Sequence, residues 1–263
     1  MDINVLISNP DYFNDLLEFP RIDGIYVEQE RLRPDKIKSM VAAAHAKGKS
    51  LYIALPYVWN EEAERTLNRE IAAIIGALPD GYLVRNLDEL GLLSDRNVRG
   101  LKILDAGLYS WNSSSIKTLS ALGGDILTAP YELNKHELLS RGLGGTEVVI
   151  YGYYPMMISS NCLRLTTGKC AKEKDPYGIY KLKDRTGAIF SAENRCRYCY
   201  NVIYNSVPTW LMDEREVYGG KSVRLSFTTE SRLEMKAILS RFFDGDTKPR
   251  GSFTRGHYNR GAE

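Results

Sequence analysis

Hydrophobic and polar positions along the first 150 residues follow two periods in turn. Short runs rich in β-branched and aromatic residues, at 3–8, 24–28, 51–55, 81–85, 101–104, 125–128 and 147–151, are separated by longer stretches with apolar positions at helical spacing. That alternation predicts repeated βα units and a parallel sheet. The stretch 34–47 shows why the gaps read as helices. Pro34 and Asp35 suit a first turn, Gly48 falls just past the end, and Ile37, Met40, Val41 and Ala44 share one face. Similar helices are predicted over 61–76, 87–93, 114–122 and 135–141. An eighth unit follows a long interruption, with a strand over 223–228 and a helix over 231–243. Eight units predict a closed α/β fold, a TIM-type (β/α)8 barrel.

The interruption, 156–222, far exceeds the roughly two to six residues of an ordinary βα loop. It predicts a functional insertion with a small structure of its own. Because it follows the seventh strand, it must leave the barrel at the carboxyl ends of the strands, the face where barrel active sites are built. The expected organisation is one barrel over 1–243 that contains the insertion, then a tail over 244–263 rich in Gly and Arg. The tail has no periodicity, and its composition permits either a flexible end or a segment folded over the barrel mouth.

A length of 263 residues suits one such barrel, and 43% hydrophobic with 26% charged residues is the composition of a soluble globular protein. No apolar run reaches the roughly 18–20 residues of a membrane span, and the first five residues lack the basic and apolar regions of a secretory signal. A cytoplasmic protein without a membrane partner is expected. In that reducing compartment, four cysteines within 162–199 read as metal ligands or redox groups rather than disulfides. The formal net charge of +2 hides an uneven distribution. Residues 162–200 carry nine Lys or Arg against four acids, a local +5, which leaves −3 for the rest of the chain. A positive field beside a metal site suits an anionic substrate or partner; a solvated basic loop is the plain alternative.

Cys162 and Cys170 are separated by seven residues, and Cys196 and Cys199 by two. A Cys-x-x-Cys pair brings two thiolates to one centre from a tight turn, and the other two cysteines complete four sulfur ligands. On spacing, an iron–sulfur cluster and a structural zinc both remain open. Glu28, Asp105 and Glu132 fall at or after the ends of predicted strands, where a carboxylate can bind substrate or move a proton, or simply cap a helix or form a salt bridge. Glu147 begins a strand, at the far end of the barrel, and is expected to be structural. His45 and His136 sit in or beside helices and read as structural, while His257, among Gly and Arg in the tail, could face a substrate or, more plainly, be a solvated tail residue. Seven tyrosines near the cysteines, Tyr153, Tyr154, Tyr177, Tyr180, Tyr198, Tyr200 and Tyr204, could stack bases or pack around a buried centre. Neither a Gly-x-Ser-x-Gly elbow nor a His-Glu-x-x-His helix occurs.

The run 147–162, Glu-Val-Val-Ile-Tyr-Gly-Tyr-Tyr-Pro-Met-Met-Ile-Ser-Ser-Asn-Cys, followed by Gly168-Lys169-Cys170, resembles the signature of the collagenase-like peptidase family, number 32 among peptidases of unknown catalytic type. Tyr131-Glu132-Leu133-Asn134, Asp105 with Asn112 downstream, Asp184-Arg185, Tyr204-Asn205-Ser206 and Thr254-Arg255-Gly256-His257 are similar to its larger members. The resemblance implies a barrel of this type in which Cys162, Cys170, Cys196 and Cys199 hold a [4Fe–4S] cluster. It also implies oxygen-independent hydroxylation, since members with assigned functions mostly hydroxylate RNA bases or quinone precursors, while the older family name is peptidase. The family's usual Ala-Pro-Ala-Gly-like opening is missing, and 3–8 resembles the later part of a longer member. The chain is therefore expected to be a fragment lacking an amino-terminal domain, or a short partner subunit. The expected function is hydroxylation of an RNA base or other anionic aromatic substrate. Asp105 and Glu132 would be the catalytic residues, and Asn112, Arg164, Arg195 and Arg197 would bind substrate. A peptidase, and a non-catalytic binding module stapled by zinc, are the alternatives.

Overall fold

Seven parallel strands and the helices between them occupy the first 152 residues of the computed structural model, which describes residues 1–168, 170, 178–214, 219 and 221–261. The strands are β1 (Ile3–Ile7), β2 (Gly24–Glu28), β3 (Ser50–Ala54), β4 (Gly81–Val84), β5 (Leu101–Leu104), β6 (Ile126–Thr128) and β7 (Thr146–Gly152). The helices are α1 (Phe13–Leu17), α2 (Pro34–Ala46), α3 (Glu61–Gly76), α4 (Leu87–Asp95), α5 (Ser113–Ala121) and α6 (Lys135–Arg141). The insertion then contributes β8 (Pro155–Ser159), α7 (Leu163–Thr167), β9 (Ile179–Lys183), β10 (Ile189–Arg195), β11 (Tyr200–Tyr204) and β12 (Thr209–Trp210). β13 (Ser222–Phe227) and α8 (Arg232–Phe243) complete the eighth unit.

β13 pairs in parallel with both β7 and β1, and β6 pairs with β7, so the eight-stranded ring closes as a TIM-type barrel. Every barrel strand expected from the sequence lies within one residue of its predicted ends, and α1 is an addition. Helix starts explain the accuracy. Asn60, Asn86, Asn112, Asn134 and Ser231 each accept a backbone N–H in the first turn of the helix that follows, a cap that stabilises by about 1 kcal/mol. Between ring and helices lies the main apolar core. On α3, for example, Leu67, Ile71 and Ile74 share the spacing of one helical face and are fully buried, each contributing roughly 1.5–3 kcal/mol.

Alternate strand residues point into the barrel. Leu6, Tyr26, Ala54, Leu83 and Ile103 form a small apolar cluster there, distinct from the outer core. Gly24 is required at the crowded end: a Cβ would lie 2.4 Å from Asn4 Oδ1 and 2.6 Å from the Tyr52 ring. The insertion forms a four-stranded antiparallel sheet in the order β8-β11-β10-β9, lying beside the barrel mouth. The residues after α8 pack down as well, as far as they are described. Trp210 Nε1 donates to Thr247 O at 2.7 Å, Thr254 bridges to Thr209, and Tyr258 is buried. No helix among the described residues is long and apolar enough to cross a membrane.

Candidate functional site

Charged side chains fill the barrel interior beyond its small apolar cluster. Arg85, just past β4, donates from Nη1 and Nη2 to Glu28 at 2.8 Å each and from Nε to Asp105 at 3.1 Å. Arg224, on β13, donates to the other oxygen of Asp105 at 2.6 Å and lies 3.3 Å from Glu147. A bulge between β13 and β7 falls next to Arg224, whose side chain takes its place in the lumen. Glu147 also accepts from Asn4 at 2.8 Å and Tyr26 at 3.0 Å. Burial pushes the Asp105 carboxyl up, but Arg224, Arg85 and the Ala106 N–H outweigh it and hold it at about 2. For Glu147, burial wins over Arg224 and the pKa is raised.

Above this ion string opens a cavity of about 380 Å³. Its floor is Arg85 and Asp105, its walls are Tyr57, Tyr109 and Tyr131, and residues 155–158 of β8 form its roof, with Glu132 also facing in. The Arg85 guanidinium lies 3.7 Å over the Tyr57 ring, and Tyr131 stacks on Tyr154 with centroids 3.9 Å apart. Burial pushes the Tyr57 hydroxyl to about 12 and raises Tyr131 further, so both stay neutral. Met156 and Met157 are exposed at the rim, 61% and 57% accessible, as a contact surface would be. Among the described residues the lining holds no Ser, Thr, Cys or His. The two carboxylates expected at the pocket, Asp105 and Glu132, both line it.

The Cys-x-x-Cys pair occupies the four-residue turn between β10 and β11, where Arg195 pairs with Tyr200 across the ladder. The residues around the cysteines plug the mouth of the barrel. Arg195 is fully buried, 3.0 Å from Glu193, 3.5 Å from Glu28 and 3.7 Å from Glu30. Arg197 donates to the carbonyls of Glu30 and Leu32, at 3.0 and 3.2 Å, and pairs with Glu70. Tyr198, wholly buried, donates to Gln29, and its carbonyl accepts from Asn60 at 3.0 Å. Tyr200 donates to Glu30 and accepts from Tyr57 N at 3.1 Å. Cys196 and Cys199 stay outside this docked surface, with Cys199 in the left-handed region at φ 54°.

Sheet register delivers the other cysteines. β8 runs antiparallel to β11 with Ser159 opposite Asn201, and Asn201 Nδ2 donates to Ser159 O at 3.2 Å and Asn161 O at 2.7 Å. That clamp fixes the backbone immediately before Cys162, beside the turn carrying Cys196 and Cys199. Burial raises the Cys196 pKa, with Cys162, Cys170 and Cys199 adding repulsion and Arg164 opposing them. None of the four thiols forms a disulfide. Among the described residues no set of three or more such side chains is drawn to ligation distance. The donor set, four thiols, suits a thiolate-bound centre, and the buried amide of Asn194, cross-strand from Asn201, has no hydrogen-bond partner at either atom among the described residues.

Several expected substrate contacts have other roles. Arg195 is a core cation rather than a surface attractor of anions, because three buried carboxylates surround it. Arg197 fastens the turn to the barrel, and Asn112 caps α5. Arg164, in α7, carries the positive charge that opposes the rise in the Cys196 pKa. Glu147 is buried at the other end of the string, held by Asn4, Tyr26 and Arg224. Lys169, Lys172, Glu173, Lys174, Asp175 and Tyr177, counted in the basic segment or among the nearby tyrosines, lie outside the described residues. Arg85 and Arg224 were not anticipated, although Arg85 directly follows the apolar run of β4 and Arg224 stands between Val223 and Leu225 on β13.

No family model matches the chain, and no curated protein matches it in sequence. Solved structures with a similar chain course include an HpcH/HpaI aldolase from Desulfitobacterium hafniense, 9% identical, TM-score 0.40, covering 95% of this chain and 94% of that one. A glycerol uptake operon antiterminator regulatory protein from Listeria monocytogenes is 14% identical, TM-score 0.36, over 57% and 78%. A 3-dehydroquinate dehydratase from Aquifex aeolicus is 11% identical, TM-score 0.35, over 53% and 72%.

Proposed function

We propose that the chain is an iron–sulfur protein that takes part in oxygen-independent hydroxylation of an aromatic ring, that of an RNA base or another anionic aromatic substrate, alone or as a subunit. The observation that carries this reading is the Cys-x-x-Cys turn. Its two inner residues dock against the loops after β2 and β3, next to an aromatic cavity, while Asn201 clamps the backbone just before Cys162 to the neighbouring strand. Cys162, Cys170, Cys196 and Cys199 would hold a [4Fe–4S] cluster, which supplies one-electron transfer when bound. Tyr57 and Tyr131 would flank the ring, Asp105 would keep Arg85 in place as a fixed counter-ion, and Glu132 would contact the substrate. Replacing a ring C–H by C–OH with oxygen from water releases two protons and two electrons, so the reading requires an electron acceptor supplied by a partner. A structural zinc is less favoured, since ladder hydrogen bonds, Arg197, Tyr198 and Tyr200 already fasten the turn without metal.

Metal analysis of protein purified without oxygen tests the assignment. The expected result is brown protein with about four irons and four sulfides per chain, lost on Cys199→Ser. Colourless protein with one zinc would overturn it.

A further inference from the structure

We infer that the cavity over Arg85 receives the neutral or cationic end of its ligand, a flat ring bearing amine or amide N–H groups directed at Glu132, and that any anionic part of that ligand stays outside. The inference rests on the proposed function's use of this cavity as the ring site.

Charge balance inside the cavity carries the argument. Among the described residues Arg85 is the only cation in the lining, and each of its three nitrogens already donates to a buried acceptor, on Glu28, Asp105 or Leu55 O. Its flat face is covered by Tyr57. Asp105 is satisfied in turn by Arg85, Arg224 and the Ala106 N–H. Arg85 is thus enclosed by Glu28 and Asp105, which Arg195 and Arg224 flank in turn, and it has no nitrogen left for an incoming anion. Glu132 is different: it is partly exposed, and no hydrogen bond or ion pair holds it among the described residues. A carboxylate or phosphate entering the cavity would meet Glu132 with no arginine to receive it. An N–H donor or a cation would gain a charge-assisted hydrogen bond there and lie against tyrosine faces. The neutral hydroxyls of Tyr57 and Tyr131 serve either kind of ligand, so Glu132 decides. The volume, about 380 Å³, suits one or two fused rings.

Benzamidine and benzoate have the same shape and opposite charge, and calorimetric titration of each into the full chain tests the inference. Wild type should bind benzamidine at least about tenfold tighter than benzoate. Glu132→Gln should remove about tenfold of the benzamidine affinity, and Glu132→Lys should reverse the preference. Glu132 makes no hydrogen bond or ion pair among the described residues, so unchanged thermal melts should accompany both variants. Benzoate binding as tightly as benzamidine, or benzamidine binding undiminished in Glu132→Gln, overturns the inference while leaving the cavity as a ring site. If neither probe binds, the ring-site assignment falls with it.

Discussion

Glu89 and Asp105 are buried carboxyls near the barrel mouth whose surroundings drive them in opposite directions. Asp105 faces two arginines and is held at about 2, so it stays ionised and acts as a counter-ion, not as a carrier of protons. Glu89, in the first turn of α4, is held up at about 8, chiefly by burial; the Arg85 N–H that it accepts at 2.9 Å, the Arg85 charge and Asn86 only partly oppose this. A carboxyl raised in the fold contributes stability that is complete below its unfolded value, near 4.3, and lost as pH rises through the folded one. Glu89→Gln keeps an acceptor for Arg85 N and removes the titration. Urea melts should show wild-type stability falling between about pH 5 and 8, by up to about 1.4 kcal/mol per unit, and the variant should flatten that slope. An unchanged slope would mean that Glu89 is ionised in the fold. At this scale Asp105 and Glu132 were legible because acids at barrel strand ends are conspicuous. Arg85 and Arg224 were not, because cations were sought near the cysteines, although Arg224 interrupts Val223, Leu225 and Phe227 at the parity of Ser226.

The element that gives the insertion its place is the β10–β11 hairpin, where the chain alternates between docking and exposure. Arg195, Arg197, Tyr198 and Tyr200 bind the loops after β2 and β3, and Cys196 and Cys199 do not. Tyr198→Ala should empty a buried site and break a buried hydrogen bond, destabilising the hairpin by about 3–5 kcal/mol. Hydrogen exchange should then accelerate across 189–204 while β1 to β6 keep their protection. Uniform acceleration through the barrel would show that the hairpin does not open by itself. The cysteine spacing made the turn visible in the sequence. Its docking partners were invisible, since Tyr198 reaches Gln29 across 169 residues and local pattern says nothing of such pairings. The strands β9 and β10 escaped notice for a related reason: their alternation is short and interrupted by lysines on the exposed face, as in Ile179–Lys183.

Across the whole molecule, opposite charges alternate from the amino-terminal end of the barrel to the insertion: Glu147, Arg224, Asp105, Arg85, Glu28, Arg195, Glu193. The barrel itself was legible because each βα unit is written in some thirty contiguous residues, with its own cap and apolar face. The string was not, because its members come from six separate elements and only ring closure brings them together. Removing one arginine from such a string leaves buried carboxylates short of a partner, so Arg195→Met and Arg224→Met should each destabilise by about 3–5 kcal/mol. The informative quantity is their coupling, since no carboxylate touches both arginines and Asp105, Arg85 and Glu28 lie between them. Independent sites add within about 0.5 kcal/mol, whereas members of one network depart from additivity by up to about 3 kcal/mol. Melts of both single variants and the double variant, run with a stabilising osmolyte so that all stay folded at the start, should give a coupling above about 1 kcal/mol. That result would mean that the insertion's docking and the lumen beneath the cavity are one electrostatic unit, so that disturbing the hairpin also moves Arg85. Additivity would separate them, and the hairpin would then bear on the cavity only through the β8 residues that roof it.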